Sequence, residues 1–363
     1  MHKTLRREEV KILILNRRDI ANPAGGGAEI YTHEIAAGLA GKYECEVVVF
    51  SCSFRESSAE DIIDRVQYVR RGNEATVHLW GFLYALRNRD KFDYIIDEFN
   101  GMGFFTFFLK NSLLLIHQMY REFWFRELGP AGIIPFMLEP LLLKLYRKKT
   151  AITVSPSTRD DLMRLGFKQV RIVMNALARP FAESGPKDTE PTLVFLGRLR
   201  STKRPEDALK IFRRVKEQVP SARLWIIGAG PLEGRLKDLA SGLADVTFLG
   251  FVSGEQKMGL LARAHLLVVP SVREGFGINV IEAASAGCPS VGYNVAGLRD
   301  SIRHGETGYL ADSADEAAAK AIGLLTDPAA FERLSNNCLD YAKEFDWARR
   351  VDEFWEIIKG EKE

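Results

Sequence analysis

Strand-length apolar runs alternate with segments of helical period along nearly the whole 363-residue chain, and this alternation restricts the fold more than any single motif. Val10–Leu15 reads as a strand and Ala28–Ala40 as a helix. Glu46–Phe50, Tyr94–Ile96, Leu113–Ile116 and Ala151–Val154 read as further strands, the last running into helix Ser157–Leu165. The polar stretch Glu183–Pro191 is rich in breakers and reads as a linker. A second cycle follows: strand Thr192–Leu196, helix Glu206–Val219, strands Arg223–Ile227 and Val246–Leu249, helix Glu255–Ala264 and strand Leu266–Val269. Such alternation implies parallel sheets covered by helices, hence an α/β protein. Two doubly wound domains facing each other would form a cleft at the carboxyl ends of both sheets, where open α/β sheets bind ligands. The tail Phe345–Trp355 reads as an amphipathic helix with Trp347, Val351, Phe354 and Trp355 on one face.

Composition removes several function classes. Fifty basic residues against 48 acidic ones leave a net charge of +2, too balanced to argue for nucleic acid. Cys45, Cys52, Cys288 and Cys338 are scattered without a Cys-x-x-Cys pair, which reads as a reduced, cytoplasmic chain without structural zinc. There is no His-x-x-x-His and no Asp-x-Asp, so a metal-dependent mechanism has little sequence support. Met1–Glu9 lacks the apolar core of a signal peptide. Ile133–Leu145 is the nearest approach to a membrane span, but it is too short and carries Glu139, Pro140 and Lys144.

The chemistry concentrates where predicted strands end. After Leu266–Val269 comes a loop with Glu274, Gly275, Phe276 and Gly277, and then a helix bearing Ile278, Asn279 and Glu282. A helix N-terminus suits a phosphate, and carboxylates accept hydrogen bonds from sugar or ribose hydroxyls. Either glutamate alone would be read as a surface charge; together at a strand end they point to a sugar-nucleotide site. After Thr192–Leu196 comes Gly197–Arg204, whose Arg198 and Lys203 suit a diphosphate, with a solvated basic loop as the bland alternative. Gly25, Gly26 and Gly27 open the first helix and read either as an anion cradle or as a plain tight turn. His117 ends a strand and is either structural or placed to meet a sugar hydroxyl or a proton. Gly228–Pro231 reads as a strand-to-helix turn. The greasy, aromatic stretch from Phe104 to Lys149 reads mainly as core. The alternative is an apolar edge, rimmed by Arg147, Lys148 and Lys149, that meets a membrane surface or holds a lipid acceptor.

With these residues in view, the chain resembles the retaining glycosyltransferases of family 4, which have the GT-B fold of two Rossmann-like domains. The likeness runs nearly end to end through the Gly-rich first loop, His117, Val154–Leu162, Gly197–Lys203, Glu274–Glu282 and Gly305–Leu310. Pro156 stands where the family usually has an acidic residue, and Asn175-Ala176 where it usually has Asn-Gly. The resemblance implies an acceptor-side domain at 1–184, a donor domain at 185–345 and a C-terminal helix, 346–363, packed back onto the first. It implies a nucleotide-diphosphate sugar as donor, a glycan, lipid-linked sugar or small molecule as acceptor, and no cofactor, metal or nucleic acid. It assigns the donor diphosphate to Arg198 and Lys203, the ribose to Glu282, the transferred sugar to Glu274, and further contacts to Gly26, Gly27 and the backbone of Phe276–Asn279. His117 would lie near the reacting carbon. Peripheral contact with the cytoplasmic face of a membrane goes with the lipid-acceptor alternative. An epimerase on the same fold, or a sugar-nucleotide-binding protein without turnover, are the competing functions.

Overall fold

A computed structural model describes residues 10–177 and 185–360. They divide into two compact units, one of residues 10–119, 137–176 and 347–360, the other of residues 120–136, 177 and 185–346. The expected linker begins at Glu183 and Ser184, which lie outside the described residues, as does Met1–Glu9. The rest of that linker is anchored: Lys187 Nζ donates to the Ala286 carbonyl at 3.0 Å and Asp188 pairs with Arg263 at 2.9 Å.

In the first unit the chain runs β1 (Lys11–Leu15), α1 (Gly27–Lys42), β2 (Glu46–Ser51), β3 (Glu60–Ile63), β4 (Val66–Arg70), α2 (Val77–Asn88), β5 (Tyr94–Glu98) and β6 (Ser112–Ile116). Helix α3 (Glu122–Leu128) belongs to the second unit, and α4 (Ile133–Leu145) begins there and continues in the first. Then come β7 (Ala151–Thr153), α5 (Pro156–Arg164) and β8 (Val170–Ile172). Among the described residues the sheet has the order β3-β4-β2-β1-β5-β6-β7-β8, parallel except for the β3–β4 pair. Ile12 to Leu15 of β1 are all buried, as a central strand covered on both faces demands. Leu13, Phe50 and Phe104 pack in one apolar cluster and Phe99, Leu114, Leu143 and Tyr146 in another.

The second unit continues with β9 (Thr192–Leu196), α6 (Pro205–Gln218), β10 (Arg223–Ile227), α7 (Glu233–Ala240), β11 (Val246–Gly250), α8 (Gly254–Arg263), β12 (Leu266–Val269) and α9 (Ile278–Ser285). It ends with β13 (Ser290–Tyr293), α10 (Leu298–Ser301), β14 (Gly308–Ala311), α11 (Ala314–Leu325) and α12 (Pro328–Ala342). Its parallel sheet has the order β11-β10-β9-β12-β13-β14. That is the doubly wound order, in which successive strands first move one way from β9 and then return to its other side at β12. The crevice at the carboxyl ends of β9 and β12 is therefore the topological switch point, the position such sheets use for ligands.

Three expectations need correction. The segment 120–136 groups with the second unit rather than the first. Polar contacts hold it there: Ser201 Oγ donates to the Arg126 carbonyl at 2.9 Å, and Arg273 reaches Glu122 at 3.4 Å. Next, the stretch Phe104–Lys149 is expected to be mainly core, but within it the helix Ile133–Leu145 buries only Glu139 and Leu143. Finally, it is not a short isolated run, because helical structure extends over the 24 residues Glu122–Leu145. The C-terminal helix α13 (Trp347–Gly360) lies with the first unit, where Asp352 accepts from Lys42 Nζ and the Tyr43 hydroxyl at 2.6 Å each and Trp355 stacks on Tyr43.

Candidate active site

The second unit gathers most of the expected site residues at its switch point. The loop after β9 carries Arg198, which is exposed, and ends in a short 3-10 turn, Ser201–Lys203. Two backbone contacts hold this loop. Gly197 N–H donates to Ile227 O at 3.0 Å and Leu199 N–H to Ala229 O at 3.0 Å. Gly228 supplies the room: a Cβ there would stand 2.0 Å from the Gly197 carbonyl oxygen, and its φ is +129°. The Gly228–Pro231 turn, which the sequence marks only as a turn, is thus the support under the Arg198 loop.

The loop after β12 is pinned to the same place. Val272 N–H donates to Thr202 O at 2.9 Å, joining the two loops, and Glu274 N–H donates to Ala296 O at 3.0 Å. Gly297 (φ +83°) lets the chain pass close, since a Cβ there would meet the Glu274 carbonyl oxygen at 2.2 Å. The result is a direct meeting of two expected site residues. Lys203 Nζ stands 2.5 Å from Glu274 Oε1, and the Ser271 hydroxyl donates to the same oxygen at 2.7 Å. The Glu274 side chain is 11% exposed and that of Lys203 30%, so the ion pair is only partly screened.

Gly277, at φ +90°, turns the chain into α9. Asn279 in the first turn donates to the carbonyl of Leu196, the last residue of β9, at 3.0 Å and so ties the helix start to the switch point. Phe276 is buried beside Phe345, so its side chain serves the core and only its backbone faces the loop. Glu282 lies one turn further along α9 and pairs with Lys257 of α8 at 2.5 Å. Lys257 has no marker in the sequence beyond being a helix lysine, and Ser271 none beyond being a loop serine. Arg204 pairs with Asp207 at 2.6 Å and covers the Tyr293 ring, so it serves the local core rather than the loop face.

The first unit holds the remaining expected residues. His117 follows β6, and its Nε2 is 3.1 Å from Glu98 Oε1. Glu98, at the end of β5, is fully buried and also accepts from Thr32 Oγ1 at 2.6 Å and Asn100 Nδ2 at 3.2 Å. The carboxylate accepts the Nε2 hydrogen and so fixes the orientation of the ring. The Tyr31 ring meets the His117 ring edge-on at 5.1 Å, and burial, with Glu98 adding, pushes the Tyr31 phenol well above its usual range. Neither Glu98 nor Tyr31 stands out in the sequence, since each lies inside an ordinary strand or helix pattern.

Gly26 and Gly27 sit at the start of α1, but their expected anion-binding role meets a competitor. Glu29 Oε2 accepts from Gly26 N–H at 2.7 Å, so the helix start carries its own carboxylate and one of its free N–H groups is taken. Among the described residues no three His, Cys, Asp or Glu side chains gather as a metal set.

Comparison with known proteins divides the chain at the same place. Residues 25–177 match the model of Glycosyltransferase Family 4, and residues 179–345 match that of Glycosyl transferases group 1. Glycogen synthase of Mycobacterium tuberculosis is 33% identical over 208 residues, which are 54% of this chain and 50% of that protein. The chain spans about half the length of the curated relatives it matches first. Among solved structures, sucrose-phosphate synthase of Thermosynechococcus elongatus superposes with a TM-score of 0.79 at 18% identity, covering 97% of this chain and 99% of that one. The Anabaena protein HepE, solved with UDP and glucose, gives 0.71 at 15% identity, covering 97% and 100%. These likenesses show the GT-B fold.

Proposed function

The chain belongs to the GT-B glycosyltransferases, its two parts matching family 4 and group 1 in turn, and on that premise we propose that it transfers a sugar, with retention, from a nucleotide-diphosphate sugar to a glycan or lipid-linked acceptor. The observation that carries this reading is the meeting of Lys203 and Glu274 at the switch point of the second unit. A cation and a carboxylate are adjacent where the order of the parallel sheet opens a crevice, which supports reading them as the groups for the diphosphate and the sugar.

In this reading Lys203 exchanges its bond to Glu274 for the donor's diphosphate, and Arg198 closes on the same group from the adjoining loop. Glu274, released, accepts from a hydroxyl of the sugar. Glu282 exchanges Lys257 for the ribose hydroxyls. The backbone of Phe276–Asn279 at the start of α9 meets the phosphate or sugar. As the bond from the anomeric carbon to the diphosphate oxygen breaks, negative charge grows on the leaving diphosphate, and Arg198 and Lys203 stabilise it without a metal ion. His117, oriented by Glu98, is the first unit's group for meeting a sugar hydroxyl or a proton. That the relative HepE was solved with UDP and glucose supports a nucleotide sugar as ligand. A lipid-linked acceptor brings the protein to a membrane surface as a peripheral partner.

The test is a panel of UDP-, GDP- and ADP-sugars screened by thermal shift. Release of nucleoside diphosphate is then followed with and without a chelator. Binding and release that persist in chelator support the reading. Release that stops in chelator removes the metal-independent part, and no binding by any of the panel removes the donor assignment.

A further inference from the structure

Helix α4 carries an apolar face that the fold leaves uncovered. Ile133, Ile134, Met137, Leu138, Leu141 and Leu145 are all exposed, Ile134 and Met137 by 63% and 61%. At about 100° per residue these six fall within an arc of about 140°. Glu139 and Leu143 point the opposite way and are buried, Leu143 in the cluster of Leu114, Ile116 and Tyr146. The usual pattern of a surface helix, polar outward, is reversed.

The surroundings of this face are basic. Lys144, Arg147 and Lys148 follow on or just beyond the helix and are exposed, as is Lys110. The one carboxylate within α4, Glu139, is on the buried side. Lys149 Nζ donates to the Leu109 carbonyl and so ties the end of this basic run to the Thr106–Phe108 turn. There Phe108 is half exposed and Phe107 packs on Tyr146.

We propose that the α4 face docks on an anionic lipid bilayer, lying in the plane of the membrane with its six apolar side chains in the headgroup–acyl boundary and the lysines and arginine on lipid phosphates. It rests on the reading above that the acceptor is lipid-linked, and it names the surface that meets the lipid. The length and apolarity of Glu122–Leu145 would also allow a span. A span would pull α4 away from the first unit, where Leu143 is buried with Leu114, Ile116 and Tyr146. The preceding α3 is held through Arg126 and Glu127 by Ser201 and Thr202. Charge complementarity selects the bilayer over a second copy of the chain, because two such faces would bring their basic rims together.

The test is vesicle flotation of the full chain with phosphatidylcholine alone and with about one-third phosphatidylglycerol added. Wild-type protein is expected to float with the anionic vesicles, more weakly at high salt. Ile134→Glu/Leu141→Glu and Arg147→Ala/Lys148→Ala are each expected to lower binding by about tenfold or more with unchanged melting temperature. Hydrolysis of a water-soluble donor by these variants is expected to stay within about twofold of wild type, which separates failure of the surface from failure of the enzyme reading. No flotation at low salt, or flotation indifferent to the α4 changes, overturns the proposal. A lipid-free dimer that the α4 changes dissociate overturns it in favour of a self-association face.

Discussion

Replacing Lys203 by methionine separates a structural lysine from a donor-binding one. Without ligand, Lys203 faces Glu274 Oε1 at 2.5 Å, and Ser271 supplies that oxygen's second partner. Methionine keeps the stem and removes the charge. Among the described residues Glu274, 11% exposed, then keeps the serine as its side-chain partner, and the loss of the lysine costs about 1–2 kcal/mol of stability after allowance for the solvent that reaches the pair. If Lys203 also holds the diphosphate, binding loses a charge-assisted contact of about 1.5–3 kcal/mol, or roughly 10- to 150-fold in Kd. Part of that loss is offset because Lys203 no longer has to leave Glu274. Calorimetry with the preferred nucleoside diphosphate and with the corresponding nucleoside distinguishes the two roles. The diphosphate is expected to lose at least about tenfold in affinity and the nucleoside less than about twofold. Equal losses for both ligands, or none for either, would refute the assignment and leave Lys203 as a support for the Glu274 loop.

Three further outcomes follow from the geometry. Gly228→Ala places a Cβ against the Gly197 carbonyl at a φ of +129°, so it is expected to lower the melting temperature by a strain of about 1–3 kcal/mol and to weaken diphosphate binding by moving the Arg198 loop; binding unchanged in a destabilised protein would count against that support. Asp19→Ala leaves Arg70 buried without its 2.7 Å carboxylate partner and is expected to cost about 3–5 kcal/mol in urea unfolding, a loss below about 1 kcal/mol showing that water or relaxation replaces the partner. Burial, with Arg17 adding to it, pushes His78 down to about 4 from 6.5. A histidine depressed in the folded state contributes its full stability above the unfolded value and loses it as pH falls toward the folded one. Stability is therefore expected to drop by up to about 3 kcal/mol between pH 7 and pH 4 from this residue, and His78→Leu is expected to flatten that part of the pH–melting curve; an unchanged slope in the variant would exclude His78 as its source.

Much of the fold is legible in the sequence because central parallel strands are apolar throughout. β9, β10 and β12 are found at the expected residues, and β1, β2, β5 and β6 within one or two. β3 is not legible: Glu60, Asp61 and Ile62 are exposed on an edge strand, so no apolar run marks them. The loops of the donor-side crevice are legible through Glu274, Lys203 and their glycines. Their internal pairing is not, because Lys257 and Ser271 become neighbours of the glutamates only when α8 and the loop after β12 are folded. Glu98 escapes for a similar reason, since a buried carboxylate inside a strand is recognised only by Thr32, Asn100 and His117 around it. The core reading of Phe104–Lys149 fails at Ile133–Leu145 because apolar composition normally means core, and the structure shows which side of α4 has a partner.

The most direct measurement is a proton NMR time course of the preferred sugar nucleotide with wild-type protein and with Lys203→Met and Glu282→Ala, followed through the anomeric signals with a glycan or lipid-linked acceptor present. Wild type is expected to convert the donor's anomeric signal into one of the same configuration on a new product, with release of nucleoside diphosphate. The two variants are expected to be slower by at least about tenfold. A wild-type protein that binds the sugar nucleotide and leaves it intact with every acceptor, or turns it over as fast in the variants, would contradict transfer from the crevice at β9 and β12.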